Sequence, residues 1–144
     1  MALSDAAYFH TGYASQSRKL CQLLHNDGHE ILYINANTGH QPIKKMVFDD
    51  GETIPFTQLP GGIRQGYGQE VLQDYFYKYK PDIFYTLLDT FMIHPYIHNI
   101  NFCGKSFFWY PSDGGWFPKD CDSVLKKYDY PISMSKFGQE QVKR

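Results

Sequence analysis

Short apolar runs alternate with amphipathic segments along the whole chain. Residues 31–34 and 83–88 are almost entirely apolar, which is typical of strands covered on both faces of a parallel sheet. Residues 105–110 form a third run of this kind, and residues 70–79 space their apolar side chains for one face of a helix. This alternation predicts an α/β fold, a Rossmann-like three-layer α/β/α sandwich with a mostly parallel sheet.

The segments around these runs predict the remaining elements. A weak first strand is expected over residues 5–10, followed by a helix that Ser15 or Ser17 caps and whose apolar side carries Leu20, Leu23 and Leu24. Further strands are expected over residues 30–35, 46–48, 54–56 and 130–133, and short helices over residues 91–98 and 123–128. Residues 59–68 are too rich in Gly for regular structure. We expect strands 83–88 and 105–110 to be adjacent and central.

Composition narrows the class of protein. The chain has 144 residues, a length typical of one domain, and its net charge of -1 provides no field that would attract nucleic acid. Its 17% aromatic content excludes disorder. Its three cysteines are scattered without C-x-x-C spacing, which indicates reduced thiols and a cytoplasmic protein. No apolar run is long enough to span a bilayer, while peripheral contact with a membrane is left open.

Polar or Gly residues follow four of the predicted strands. In an open parallel sheet, ligands bind outside the carboxyl ends of the strands, so these residues are expected to converge on one edge. The candidate ligand-binding and catalytic residues are Thr11, Gly12, Tyr13, Asp89, Asp113, Gly114, Trp116 and Ser135.

Each candidate has a functional and a structural interpretation. Gly12 lets a diphosphate approach a helix N-terminus, or it makes a tight turn. The carboxylates of Asp89 and Asp113 can bind a sugar hydroxyl or assist its transfer, although Asp89 can also cap a helix. Trp116 can stack on a sugar or be an ordinary core residue. His94 and His98 have metal-ligand spacing, but no third ligand follows from the sequence, and we expect no metal or other cofactor.

Five segments resemble, in order, the N-terminal domain of the retaining family-four glycosyltransferases of GT-B fold. Residues 11–16 (TGYASQ) are similar to the family's first βα loop, with Ala14 where a second Gly is usual. Residues 67–72 and 80–84 look like its Y-G helix and the "PD" strand opening. Residues 110–114 resemble its "P-x-D-G" strand end, and residues 133–138 its "S-x-S-x-F-G" junction.

The resemblance implies sugar transfer, with retention, from a nucleotide-sugar donor to an acceptor. Residues 1–144 would be the acceptor-side domain, and the donor-binding C-terminal domain would follow it in a longer protein, so the isolated domain would be inactive. Asp113 and Asp89 would assist catalysis or bind the acceptor, and the Gly12 loop would face the donor phosphates. Two alternatives stay open: a non-catalytic flavodoxin-like binding or regulatory domain, and another GT-B enzyme such as a sugar-nucleotide epimerase.

The same interpretation predicts how the isolated domain associates. In a two-domain enzyme the cleft side is covered, so we expect self-association through the cleft side, with Tyr13, Trp116 and Phe117 as contact residues.

Overall fold

The computed structural model of the chain describes residues 1–36, 38, 46–47, 51–62, 67–112 and 119–142. The strands and helices follow one another as β1 (Ala2–Asp5), α1 (Gly12–Asn26), β2 (Leu32–Ala36), β3 (Met46–Val47), β4 (Thr53–Ile54), β5 (Thr57–Pro60), α2 (Leu72–Tyr79), β6 (Ile83–Leu87), α3 (Thr90–Ile97), β7 (Lys105–Tyr110), α4 (Lys119–Leu125), β8 (Tyr130–Ser133) and α5 (Lys136–Val142).

Six of these strands form one parallel sheet in the order β5-β2-β1-β6-β7-β8. Numbered along the sheet's own strands, this is the 3-2-1-4-5-6 order of doubly wound dinucleotide-binding folds, and it differs from the flavodoxin-like 2-1-3-4-5 order. The predicted Rossmann-like α/β fold is confirmed. Strands β6 and β7 are adjacent, as predicted, with β6 near the centre of the sheet and β7 one strand from its edge.

One face of the sheet, which we call the main-core face, carries most of the apolar core. Phe84 of β6 and Phe108 of β7 are fully buried there. The Tyr128 ring stacks on both of them, with centroids 6.2 and 4.9 Å away, and its hydroxyl lies 3.0 Å from the Thr86 hydroxyl. Helices α2, α3 and α4 cover this face with the buried side chains Leu72, Phe76, Ile93, Ile97, Val124 and Leu125.

The other face, the α1 face, differs from the prediction in how its helix packs. Helix α1 buries Ala14, Ser17, Arg18 and Cys21, and Leu23 is 56% exposed. The predicted apolar side of this helix was therefore wrong, because the helix contacts the sheet through small and polar side chains. The predicted caps Ser15 and Ser17 were also wrong, since the side chain of Thr11 accepts the capping bond from the Ala14 N–H.

Strand β1 lies earlier than predicted. It spans Ala2–Asp5 rather than residues 5–10, and it pairs with β2 on one side and β6 on the other. The sequence of residues 2–5 gives only a weak strand signal, and this segment becomes a strand because it pairs with a neighbour on each side. Residues 6–11 instead form the loop that leads into α1.

A hairpin and an unpredicted strand complete the α1 face. Strands β3 and β4 pair antiparallel, which confirms two short strands here. Most of the turn that residues 49–51 predict between them lies outside the described residues. Strand β5 was not predicted, because its sequence TQLP borders the Gly-rich segment. It pairs with β2 and ends at Pro60, which is tolerated because β5 is an edge strand.

The described residues contain no helix with the length and apolar character needed to cross a bilayer. The three cysteines are free thiols. Burial between α1 and the sheet raises the pKa of the Cys21 thiol to about 12, which disfavours the thiolate form.

A carboxylate at the amino-terminal edge of the sheet predicts a specific pH dependence. Asp129 Oδ2 accepts hydrogen bonds from the backbone N–H (2.9 Å) and hydroxyl (2.8 Å) of Ser106. These bonds, and more weakly the nearby Lys105 ammonium, lower the pKa of Asp129 below its ordinary value of 3.8. A carboxyl with a depressed pKa in the folded state stabilises the fold above its unfolded pKa and loses that contribution as pH falls through its folded pKa.

We therefore expect the melting temperature to decrease as the pH is lowered below about 4, partly because Asp129 becomes protonated. The decrease should be less steep in Asp129→Asn. Thermal melts followed by circular dichroism between pH 5 and 2.5 measure this difference. Asp82→Asn, which removes an exposed carboxylate at the same edge, is the control and should follow the wild type. Identical pH profiles for the wild type and Asp129→Asn would contradict the prediction.

Candidate functional site

The direction of the chain crossings reverses between β1 and β6. The chain proceeds from β1 to β2 and β5 on one side, and from β6 to β7 and β8 on the other. The loops that leave β1 and β6 therefore diverge at their carboxyl ends and leave a crevice, which is the place where doubly wound sheets bind ligands. The two loops carry Thr11, Gly12 and Tyr13 on one side of the crevice and Asp89 on the other.

Thr11 is the N-cap residue of helix α1, and it also orders a carboxylate. Its hydroxyl oxygen accepts a hydrogen bond from the Ala14 N–H at 3.1 Å and donates to Asp5 Oδ2 at 2.6 Å. The Tyr33 hydroxyl donates to the backbone oxygen of Asp5 at 2.8 Å. Thr11 is therefore a structural residue of the loop, and Asp5 lies beside it at the carboxyl end of β1.

Two buried polar side chains hold the loop between β1 and α1 from below. Arg18 Nη1 donates to the backbone oxygens of Ala7 at 2.6 Å and Phe9 at 3.4 Å, and its Nε lies 3.4 Å from Glu52 of the hairpin. Asn35 Oδ1 accepts from the Ala7 N–H at 2.9 Å. The shape of the loop thus depends on helix α1, strand β2 and the hairpin together.

Gly12 is an exposed glycine at the first position of α1. A Cβ built on it would meet no atom within 4 Å, and its φ is not among the positive values found at other glycines. Neither a tight turn nor close packing within the described residues therefore requires glycine here. The open space beside Gly12 lets a ligand approach the first turn of α1, whose N–H groups favour an anion.

Tyr13 and Asp89 join the two sides of the crevice. The Tyr13 hydroxyl donates to Asp89 Oδ1 at 2.9 Å across 76 residues of sequence. Asp89 stands at the N-cap position of α3, but its side chain makes no capping hydrogen bond. The Asp89 side chain therefore does not cap α3. Its hydrogen bond with Tyr13 confirms the prediction that Asp89 and the Gly12 loop share one edge of the sheet.

Ser135 begins helix α5 at the carboxyl end of β8. Its hydroxyl accepts a hydrogen bond from the Gly138 N–H at 3.1 Å, and the Ser133 hydroxyl donates to the Ser135 backbone oxygen at 2.8 Å. A Cβ on Gly138 would lie 2.4 Å from Ser133 Oγ. Packing and capping account for this S-x-S-x-F-G segment, and a ligand contact by Ser135 stays a prediction.

Three further candidates, Asp113, Gly114 and Trp116, lie outside the described residues, as does Phe117. They follow β7, whose carboxyl end is at the same edge as that of β6. Their predicted roles stay predictions.

Two residues at this edge were missed from the sequence. Asp5 ends β1 and contacts Thr11, but the first strand was placed too late for Asp5 to be at its carboxyl end. Arg18 supports the loop from inside a helix, where a basic residue is usually solvent-exposed. The sequence did carry one signal for Arg18. It lies one helical turn after Ala14, so the two residues share a helix face, and that face is the buried one.

Two other features lie away from the crevice. A cavity of about 240 Å³ lies at the opposite, amino-terminal edge of the sheet, where Cys21, Leu24, Ile83 and Tyr85 help to line it. The rings of His94 and His98 on α3 meet edge to face at 5.7 Å, and His98 Nε2 lies 3.2 Å from the Ser123 hydroxyl. The described residues contain no group of three or more side chains suited to hold a metal ion.

Comparison of the chain with protein-family models, curated proteins and solved structures found no match in any of the three. The fold and the crevice therefore define the class that can be stated: a Rossmann-like α/β domain with a candidate ligand site between β1 and β6.

Proposed function

We propose that the chain is the acceptor-side, N-terminal domain of a GT-B glycosyltransferase, which moves a sugar with retention from a nucleotide-sugar donor. The observation that supports this most strongly is the hydrogen bond between Tyr13 and Asp89. It brings the T-G-Y loop of the family resemblance and Asp89, to which that resemblance gives an acceptor-binding or catalytic role, to one crevice at the switch point of the sheet.

The chemistry of the crevice supports a role in holding the acceptor. The carboxylates of Asp5 and Asp89 and the hydroxyl of Tyr13 are groups that bind sugar hydroxyls, and a carboxylate can also take a proton or stabilise a developing positive charge. In this proposal Asp89 and Asp113 bind the acceptor or assist transfer electrostatically. Ser135, Gly114 and Trp116 would extend the site along the same edge.

The donor would be held only partly by this domain. A helix N-terminus contributes about 0.3–1 kcal/mol when exposed, whereas millimolar binding already requires about 4 kcal/mol. The N-terminus of α1 at Gly12 can therefore orient the donor diphosphate without holding the nucleotide. The proposal accordingly places most of the nucleotide affinity in a second domain.

We expect the 144-residue chain to bind UDP, ADP or GDP with millimolar or weaker affinity and to show no sugar transfer. Gly12→Val should weaken the binding about two- to fivefold, because its side chain blocks the approach to the α1 N-terminus. Chemical-shift changes in ¹H–¹⁵N spectra measure the affinities, and they should concentrate in residues 11–15 and around Asp89.

The matched control is Asp82→Asn, which changes an exposed residue at the opposite edge of the sheet and should leave the affinity unchanged. Micromolar binding of a nucleoside diphosphate to this chain would contradict the proposal and favour a self-sufficient binding domain. Shift changes confined to the amino-terminal edge would contradict the assigned site.

A further inference from the structure

The two faces of the sheet are covered unequally. The main-core face is covered along its length by α2, α3 and α4, whereas on the α1 face the helix and the hairpin pack on β1 and β2, and Tyr85 of β6 lies against them. Strands β7 and β8 have no covering element on that side among the described residues. The apolar side chains there, with one from β6, form what we call the bare face: Ile83, Phe107, Trp109, Tyr130 and Ile132.

Burial alternates along these strands in step with the face. In β7 the side chains of Ser106, Phe108 and Tyr110 on the main-core face are buried, while Phe107 and Trp109 are partly exposed. Tyr130 is 46%, Ile132 45% and Ile83 49% exposed. Because neighbours in a strand point to opposite faces, the exposure belongs to one face and not to the strands as a whole.

The register makes the bare face continuous. Phe107 pairs with Tyr130, so two aromatic side chains lie in one row across β7 and β8, beside Tyr85, which α1 covers. The rings of Phe107 and Tyr130 stack at 4.7 Å. Trp109 and Ile132 form the next row. Parallel strands are normally buried on both faces, and nothing in the part of the chain that the structure describes covers this surface.

We propose that a second copy of this chain covers the bare face, so that the protein is a symmetric dimer with the two sheets packed face to face. The proposal is independent of the glycosyltransferase assignment. It rests on the size of the surface, on its charges and on the sequence of the edge strand.

The area agrees with what a dimer interface needs. With three side chains nearly half exposed and two exposed to a smaller extent, the bare face offers roughly 350 Å² of apolar surface, since a whole aromatic side chain has about 150–250 Å². A stable interface buries about 800 Å² per partner, of which roughly 450–500 Å² is apolar. The bare face therefore supplies most of the apolar area that such an interface buries.

The charges allow two identical surfaces to meet. The five apolar side chains of the bare face are bordered by one cation, Lys105, which pairs with Ile83 in the sheet and lies on the same face. Lys105 is 3.7 Å from Asp129, so the cation and the anion there are already paired within one chain. A symmetric contact therefore brings together no unpaired like charges. A partner of strong net charge would find no complementary field.

The edge strand favours packing through the face rather than growth of the sheet. Strand β8 ends the sheet, and its second residue, Pro131, has no N–H to donate to a further strand. A copy adding through the β8 edge would lose a ladder bond there. At the border the cavity of about 240 Å³ beside Ile83 and Tyr85 offers room for a partner side chain.

Sedimentation velocity of the full chain from 1 to 200 µM tests the proposal. We expect a reversible dimer, and we expect Tyr130→Glu to raise its dissociation constant about tenfold or more. Ile132→Lys should act in the same way. Circular dichroism confirms that each variant is folded, which is expected because both side chains are nearly half exposed.

Tyr77→Glu is the matched control, since Tyr77 on α2 is 69% exposed but lies off the bare face. It should leave the dimer intact. A wild type that is monomeric at 200 µM would overturn the proposal, as would a dimer that neither substitution on β8 weakens. Phe91→Glu tests the carboxyl edge, where Phe91 follows β6. A dimer that this variant alone dissociates would favour association through the cleft side instead.

Discussion

Replacing Gly61 with alanine is expected to lower the free energy of unfolding by about 3 kcal/mol. Gly61 follows β5, and a Cβ added to it would lie 2.2 Å from the backbone oxygen of Asn35 in β2. The contact is backbone to backbone, so no side chain can move to relieve it. The neighbouring strand must shift instead, and Asn35 is the residue that holds the loop of the candidate site through Ala7.

Urea denaturation followed by circular dichroism measures the decrease in the free energy of unfolding of Gly61→Ala. For a chain of this size we also expect a melting temperature lower by about 6–12 °C. Gly12→Ala is the matched control, because a Cβ at Gly12 would meet no atom within 4 Å. Alanine at that helical position should leave stability unchanged or raise it by up to about 1 kcal/mol. Equal stability of Gly61→Ala and the wild type would show that the two strand ends are not in contact.

Replacing Arg18 with leucine is expected to cost about 3 kcal/mol. The substitution leaves the buried backbone oxygen of Ala7 and the oxygen of Phe9 without the guanidinium donor. Loss of the ion pair with Glu52 adds little, because Glu52 is 40% exposed and solvent screens the pair. The loop before α1 should also change its shape, which weakens any ligand binding at Gly12.

Lysine at position 18 keeps the charge but supplies a single, shorter donor group, so Arg18→Lys should fall between the wild type and Arg18→Leu. Lys19→Leu removes an exposed cation from the same helix and should change the stability by less than about 0.5 kcal/mol. Chemical denaturation ranks the four proteins. If Arg18→Leu is as stable as Lys19→Leu, the buried guanidinium does not support the loop.

Several elements could be predicted from the sequence because their signals are local. Strands β6 and β7 have runs of apolar side chains within five or six residues, and α2 has apolar side chains at helical spacing. The Gly and Pro residues between them limit the ends of each element. From this alternation the α/β class follows, since only a few layered arrangements bury such strands and helices together.

Other elements depend on contacts between distant segments. Strands β1 and β5 are short and weakly apolar, and each becomes a strand through pairing with neighbours that are remote in sequence. The leucines of α1 predicted its apolar side, yet Leu23 is exposed and Ser17 is buried. The buried side of α1 follows from how the helix lies on the sheet, which its own periodicity does not encode.

The candidate site divides in the same way. The sequence by itself determined that polar residues follow the strands. A parallel sheet gathers such residues at one edge, so the sequence also predicted which edge carries the site. Only the tertiary structure decided that β1 lies beside β6, which places the Tyr13 hydroxyl 2.9 Å from Asp89. It alone also decided that Phe107, Trp109, Tyr130 and Ile132 share an uncovered face. Strand order sets both arrangements, and strand order is fixed by the packing of the whole domain rather than by any one segment.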